Sequence, residues 1–85
     1  MNKEFKNILV EIEIERMRQD KKFGIQTRPA EDYLMILGEE VGEANKAALE
    51  HKFCGYDSAL YREEMIQVAA VAIAAIESYD RIHGE

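Results

Sequence analysis

Strong helix breakers occur at only two places in this 85-residue chain, Phe23-Gly24-Ile25-Gln26-Thr27-Arg28-Pro29 and Phe53-Cys54-Gly55-Tyr56-Asp57. Glycine frees the backbone and proline removes a donor, so each stretch interrupts whatever regular structure precedes it. Three segments remain, each long enough for a helix, with no internal repeat among them. The expected fold is therefore all-α, with three main helices per chain in a single domain over residues 1–85. A chain of this length has little room for a second core.

The first segment, about Asn2 to Lys22, reads two ways. Val10-Glu11-Ile12-Glu13-Ile14-Glu15 alternates strictly, as a half-buried strand does. Against that, Phe5, Ile8, Leu9 and Ile12 follow helical spacing, and Val10, Ile14 and Met17 make a second stripe. The Glu, Lys, Arg and Gln on its flanks favour helix, and a lone strand would have no partner. Helix is the reading that follows, and two stripes imply contact with more than one neighbour.

The second helix is expected from near Pro29, a residue suited to a first turn, with Glu31 and Asp32 at the positive end of its dipole. Its core stripe reads Leu34, Leu37, Val41, Ala44 and Ala48. Beside that runs a row of Tyr33, Ile36, Glu40, Glu43 and Ala47. Gly38 and Gly42, four apart, mark either a close approach by another chain or ligand, or tolerated surface glycines. The third helix opens near Asp57 or Ser58, both good N-caps, and ends around His83-Gly84. From Met65 to Ile76 it is apolar on nearly every face apart from Gln67. A helix of that kind must be covered all round, which two others of this size do poorly. A homodimer or homotetramer burying the alanine-rich surface is therefore expected. Met17, Met35 and Met65 read as gap-filling core or interface residues.

The totals exclude several classes of function. A net charge of −6 argues against a nucleic-acid polymer or an anionic membrane as the main partner. The apolar run of the third helix is too short for a bilayer, which needs ~20 residues. Met-Asn-Lys-Glu-Phe-Lys meets charge at once, so no secretory leader is expected. The single Cys54 rules out an intrachain disulfide and fits a reducing cytoplasm, the expected location. With only His51 nearby it does not make a zinc site. No Ser-His-Asp arrangement, phosphate loop or dinucleotide fingerprint is present.

The chemistry concentrates in two acidic clusters, Glu39-Glu40-Val41-Gly42-Glu43 and Arg62-Glu63-Glu64-Met65-Ile66-Gln67, which interrupt the two most apolar stretches. A carboxylate beside a helical core costs free energy unless a cation meets it. Glutamates three apart share a helix face, so Glu40 and Glu43 can point into one space. With Glu64 opposite, such a site favours a hard divalent cation, Mg²⁺ or Mn²⁺. The bland alternative is a pair of solvated acidic faces. The first breaker adds Arg18-Gln19-Asp20-Lys21-Lys22-Phe23-Gly24-Ile25-Gln26, which joins cations, a ring and an amide beside a glycine turn. Those parts can grip phosphates and a base, although the segment taken alone reads as a solvated loop with Phe23 tucked into the core.

In this order the motifs resemble those of the MazG-like all-α nucleoside triphosphate pyrophosphohydrolases, particularly their compact single-domain members, often carried by phages and mobile elements. Glu39-Glu40-Val41-Gly42-Glu43 matches the family's E-E-x-x-E, and Glu63-Glu64-Met65-Ile66-Gln67 stands in the place of its E-E-x-x-D. Arg16 to Gln26 resembles the stretch before the second helix, where the ring is commonly Trp in place of Phe23. The resemblance implies a MazG-like helical bundle completed by oligomerisation. It also implies Mg²⁺-dependent cleavage of a nucleoside triphosphate between the α and β phosphates, in the service of nucleotide-pool cleaning. Carried over by position, Glu40, Glu43, Glu64 and Gln67 are the metal ligands. Glu39 and Glu63 either support the ligands from behind or help to orient the water, and Lys22, Phe23 and Gln26 meet the substrate. Gln67 departs from the usual Asp and removes one negative charge. The alternatives are a nucleotide-binding descendant without turnover and a non-catalytic helical oligomerisation or protein-interaction module.

Overall fold

The computed structural model describes residues 1–84. Among them are three helices and no strand: α1 (Lys3–Phe23), α2 (Ala30–Cys54) and α3 (Ala59–Ile82). The alternating stretch in α1 is helical, and both breakers fall between helices. Asn2 caps α1, its side chain accepting from the Phe5 N–H at 2.7 Å. Gly24 closes it at φ 75°, ψ 170°, a backbone state that side chains disfavour, with its N–H donating to Asp20 O at 2.8 Å. Gly55, in the left-handed region, ends α2. At the start of α3 it is Asp57 whose carboxylate caps, accepting from the Ala59 N–H at 2.9 Å, while Ser58 makes no side-chain cap.

Helix α3 is the centre of the molecule. Both α1 and α2 pack on it, and among the described residues they do not pack on one another. The expectation that α1 meets more than one neighbour is thus corrected: it leans on α3 alone. Only Ile12 of its two stripes is buried, while Phe5, Ile8, Leu9, Val10, Ile14 and Met17 stay exposed. The face of α2 also needs correction. Its inward row runs through Tyr33, Ile36, Leu37, Glu40, Ala44 and Ala47, whereas Leu34 is 69 % exposed and Val41 also faces out. Two adjacent rows on α2 share the same helical spacing, so periodicity alone does not choose between them. Tyr33, Val71 and Ala74 form the core cluster, with Ile36, Leu37 and Ala75 packed against it.

On α3 itself Ala70, Val71, Ala74 and Ser78 are buried, but Ile76 remains 61 % exposed, so one chain does not cover the alanine-rich helix on every side. Met17, Met35 and Met65 are exposed and do not fill this chain's core. Space is open around Gly38 and Gly42, with nothing close to either. No described helix is long and apolar enough to cross a membrane.

The segment between α1 and α2 is fastened down along the C-terminal half of α3. Ser78, fully buried, donates its hydroxyl to Arg28 O and accepts from the Arg28 N–H, both at 2.8 Å. Arg81 donates to Thr27 Oγ1 at 2.9 Å and to Gln26 O at 2.7 Å. The Tyr33 hydroxyl reaches Gln26 O at 3.3 Å. This segment is a strap rather than a free loop.

Candidate functional site

Because α1 and α2 rest on α3 without meeting, a cleft of about 390 Å³ opens between them. Gln67, Val71 and Ala74 of α3 form its floor, and the strap closes one end. Helix α1 runs toward the strap and α2 runs away from it. Glu15 and Glu40 therefore lie roughly two to three helical turns from the strap, at the other end.

Glu40 dominates that far end. Its Oε2 is buried and has no hydrogen-bond partner among the described residues. Burial pushes the carboxyl above its ordinary range, and the negative charges of Glu64, Glu43, Glu15 and Glu39 push it further, in that order. Glu15 lines the same cleft from the α1 side and was no candidate on sequence grounds. It behaves oppositely. Arg18 donates to its two oxygens at 2.9 and 2.6 Å, and Gln19 adds a third bond at 3.1 Å. Those bonds hold Glu15 below its ordinary value despite the burial that opposes them. A charged Glu15 thus stands near a Glu40 that favours its proton.

The other candidates divide. Gln67, like Glu15, lines the cleft and also an adjoining shallower groove, where Glu63 sits with Glu11 and Arg62. Glu64 is half-buried, and Glu39 and Glu43 are exposed. The fold thus brings Glu64, Glu43 and Glu39 within electrostatic reach of Glu40 and sets Glu63 in the second groove. A dry carboxylate oxygen with no donor among the described residues, within electrostatic reach of four more carboxylates, suits a hard cation that takes oxygen ligands. As the side chains stand, no three His, Cys, Asp or Glu among the described residues are gathered closely enough to hold an ion. Ligation by Glu43 and Glu64 requires their side chains to turn toward Glu40.

The strap end has a different character. Phe23 is 58 % exposed at the mouth, not tucked into the core, and Lys22 Nζ lies 5.1 Å from the centre of its ring. Tyr33 forms the buried inner wall. Arg16 is committed to Glu77 at 2.6 Å and Asp20 at 3.2 Å. Arg28 donates through Nε and Nη2 to Gln26 Oε1 at 3.2 and 3.1 Å. Lys22 and Arg28 are then the cleft's cations without a carboxylate partner among the described residues. Sequence reasoning reached Lys22, Phe23 and Gln26 but missed Arg28, whose only local signal is its place beside Pro29 inside a breaker. No family model matches the chain, and neither does any curated protein or solved structure.

Proposed function

We propose that this chain is a MazG-like, Mg²⁺-dependent nucleoside triphosphate pyrophosphohydrolase, releasing nucleoside monophosphate and pyrophosphate. The observation that carries the reading is the buried, partnerless Oε2 of Glu40, at one end of a cleft whose other end presents Lys22 and Arg28. Such a lining suits a ligand that brings a cation with its phosphates to one end and hydrogen-bond acceptors to the other. Glu40, Glu43 and Glu64, with the amide oxygen of Gln67, are the groups that would hold Mg²⁺ or Mn²⁺. When bound, the ion would set positive charge against the phosphates and make adjacent water more acidic.

The chain's own groups do the rest. Lys22 and Arg28 hold acceptors of the ligand, and Phe23 and Tyr33 wall it in. Glu40, whose burial and acidic neighbours make its charge costly without a cation, is the group that a bound cation would relieve most. Glu39 orients from the exposed side of the same helix. Glu63 acts only indirectly, through Gln67, which borders both grooves.

Purified protein with Mg²⁺ and a panel of nucleoside triphosphates is expected to release pyrophosphate and the matching monophosphate. Product from no nucleotide, with Mn²⁺ also tried, would remove the catalytic reading. The amide of Gln67 on the cleft floor favours a second reading, nucleotide binding without turnover. That one predicts thermal stabilisation by nucleotide and Mg²⁺ with no product, since any ligand of the native state stabilises it by mass action. If neither is seen, a helical interaction module is what remains.

The proposal includes self-assembly as a homodimer or homotetramer. Leu34, Met35, Leu49 and Phe53 of α2, with Ile76 and Tyr79 of α3, are each more than half exposed. That much bare apolar surface is unusual for a monomer of this size. Sedimentation at micromolar concentration is expected to show a dimer or tetramer; a stable monomer would count against it.

A further inference from the structure

The polar groups at the strap end have a one-sided chemistry. A guanidinium carries donors and no acceptor. Gln26 must therefore turn its carbonyl Oε1 toward Arg28, where it accepts both bonds. The Gln26 amide nitrogen and Arg28 Nη1 are left without a protein partner among the described residues, and both residues line the cleft. The neighbouring acceptors are already engaged. Gln26 O takes the Tyr33 hydroxyl and Arg81, Arg28 O takes Ser78, and Thr27 Oγ1 takes Arg81. Asp20, the carboxylate at this end, is turned to Arg16 at 3.2 Å. What the Lys22, Gln26 and Arg28 side chains still offer a ligand is donors only. The Ser78 bonds hold the Arg28 backbone on both its N–H and its carbonyl, so these donors are pre-positioned.

We propose that this end of the cleft reads the edge of a nucleobase through Gln26 and Arg28, and selects bases that present oxygen acceptors there. This rests on the reading of the cleft as a nucleotide site. The base belongs here because Phe23 and Tyr33 supply ring faces at this end, while the carboxylate end calls for a cation and hence for the phosphates. Uracil, thymine and hypoxanthine show exocyclic carbonyl oxygens where cytosine and adenine show amino groups. An amino group facing the donors of Gln26 and Arg28 would meet donor with donor and leave buried groups unpaired.

Two pairs of triphosphates isolate this difference: UTP against CTP, and ITP against ATP. The oxo member of each is expected to have the higher kcat/KM, by roughly ten-fold or more for a well-made two-point contact. Calorimetry with non-hydrolysable α,β-methylene analogues and Mg²⁺ is expected to show the same ranking in Kd. Arg28→Ala should bring each pair to near equality. Gln26→Glu should do so too, since a carboxylate still accepts from Arg28 but has no amide donor. Equal handling of both pairs by the wild type overturns the proposal. So does a uniform loss for every nucleotide in Arg28→Ala, which would make Arg28 a phosphate contact. Binding without discrimination sinks this inference alone. If no analogue binds, the nucleotide site itself falls and this inference with it.

Discussion

Glu40→Gln is expected to abolish pyrophosphate release and, in the same preparation, to make the metal-free protein more stable. The two effects have one cause. Glu40 keeps a carboxylate oxygen out of water with no donor to meet it, near Glu64, Glu43, Glu15 and Glu39. An arrangement of that kind destabilises an empty fold. Removing the charge should relieve up to about 1 kcal/mol, since solvent screens the neighbouring charges and the amide leaves a polar atom in the same place, a rise in Tm of roughly 4–8 °C per kcal/mol for a domain this small. The pH dependence has a definite sign. A carboxyl whose folded pKa is raised binds its proton more tightly in the native state, so stability falls as pH rises from the ordinary glutamate value through the raised one. Wild type and variant should therefore melt alike in acid below the ordinary value, and diverge in favour of the variant above it. Thermal melts in chelator across that range test the stability claim, and a pyrophosphate assay tests the other. Wild-type turnover in Glu40→Gln would show that the ligand assignment is wrong.

The second large effect is expected at Ser78→Ala. The hydroxyl makes two bonds to the backbone of Arg28 from a position with 0 % exposure. Alanine leaves the Arg28 N–H and carbonyl both without their partner. At about 1–3 kcal/mol for each group left unmade, the loss should be roughly 2–4 kcal/mol, a large part of what so small a domain possesses. Urea unfolding should show the midpoint falling sharply. Thr27→Ala, which removes one exposed side-chain partner of Arg81, is the contrast and should cost well under half as much. Equal losses at the two positions would mean that the strap is held by Arg81 and Tyr33 rather than by Ser78.

The helix count was legible because Gly24, Pro29 and Gly55 interrupt the backbone by rules that act within a few residues. The observed ends, Lys3–Phe23, Ala30–Cys54 and Ala59–Ile82, follow from the same local chemistry. Which face of α2 turns inward was not legible. Leu34 and Val41 are as apolar as Tyr33 and Ile36, and the choice depends on what α3 presents to them. Glu40 was found because an acid beside an apolar row is conspicuous. Glu15 was hidden in an alternating stretch, and its place near Glu40 depends on how α1 lies against α3. Ser78 and Arg28 illustrate the limit best. They are fifty positions apart, and no periodicity or motif links a serine near the end of one helix to an arginine in a turn.

Among the described residues, helix α1 is attached to the rest of the fold through α3 and the strap alone. It is accordingly the part that transient local opening reaches at least cost, whereas α2 and α3 protect each other. A molecule lodged against all three helices would tie α1 to α2, a connection the bare chain does not make for itself. Occupancy and the persistence of the first helix should then rise and fall together, so that warming erodes recognition before it erodes the helical hairpin beneath.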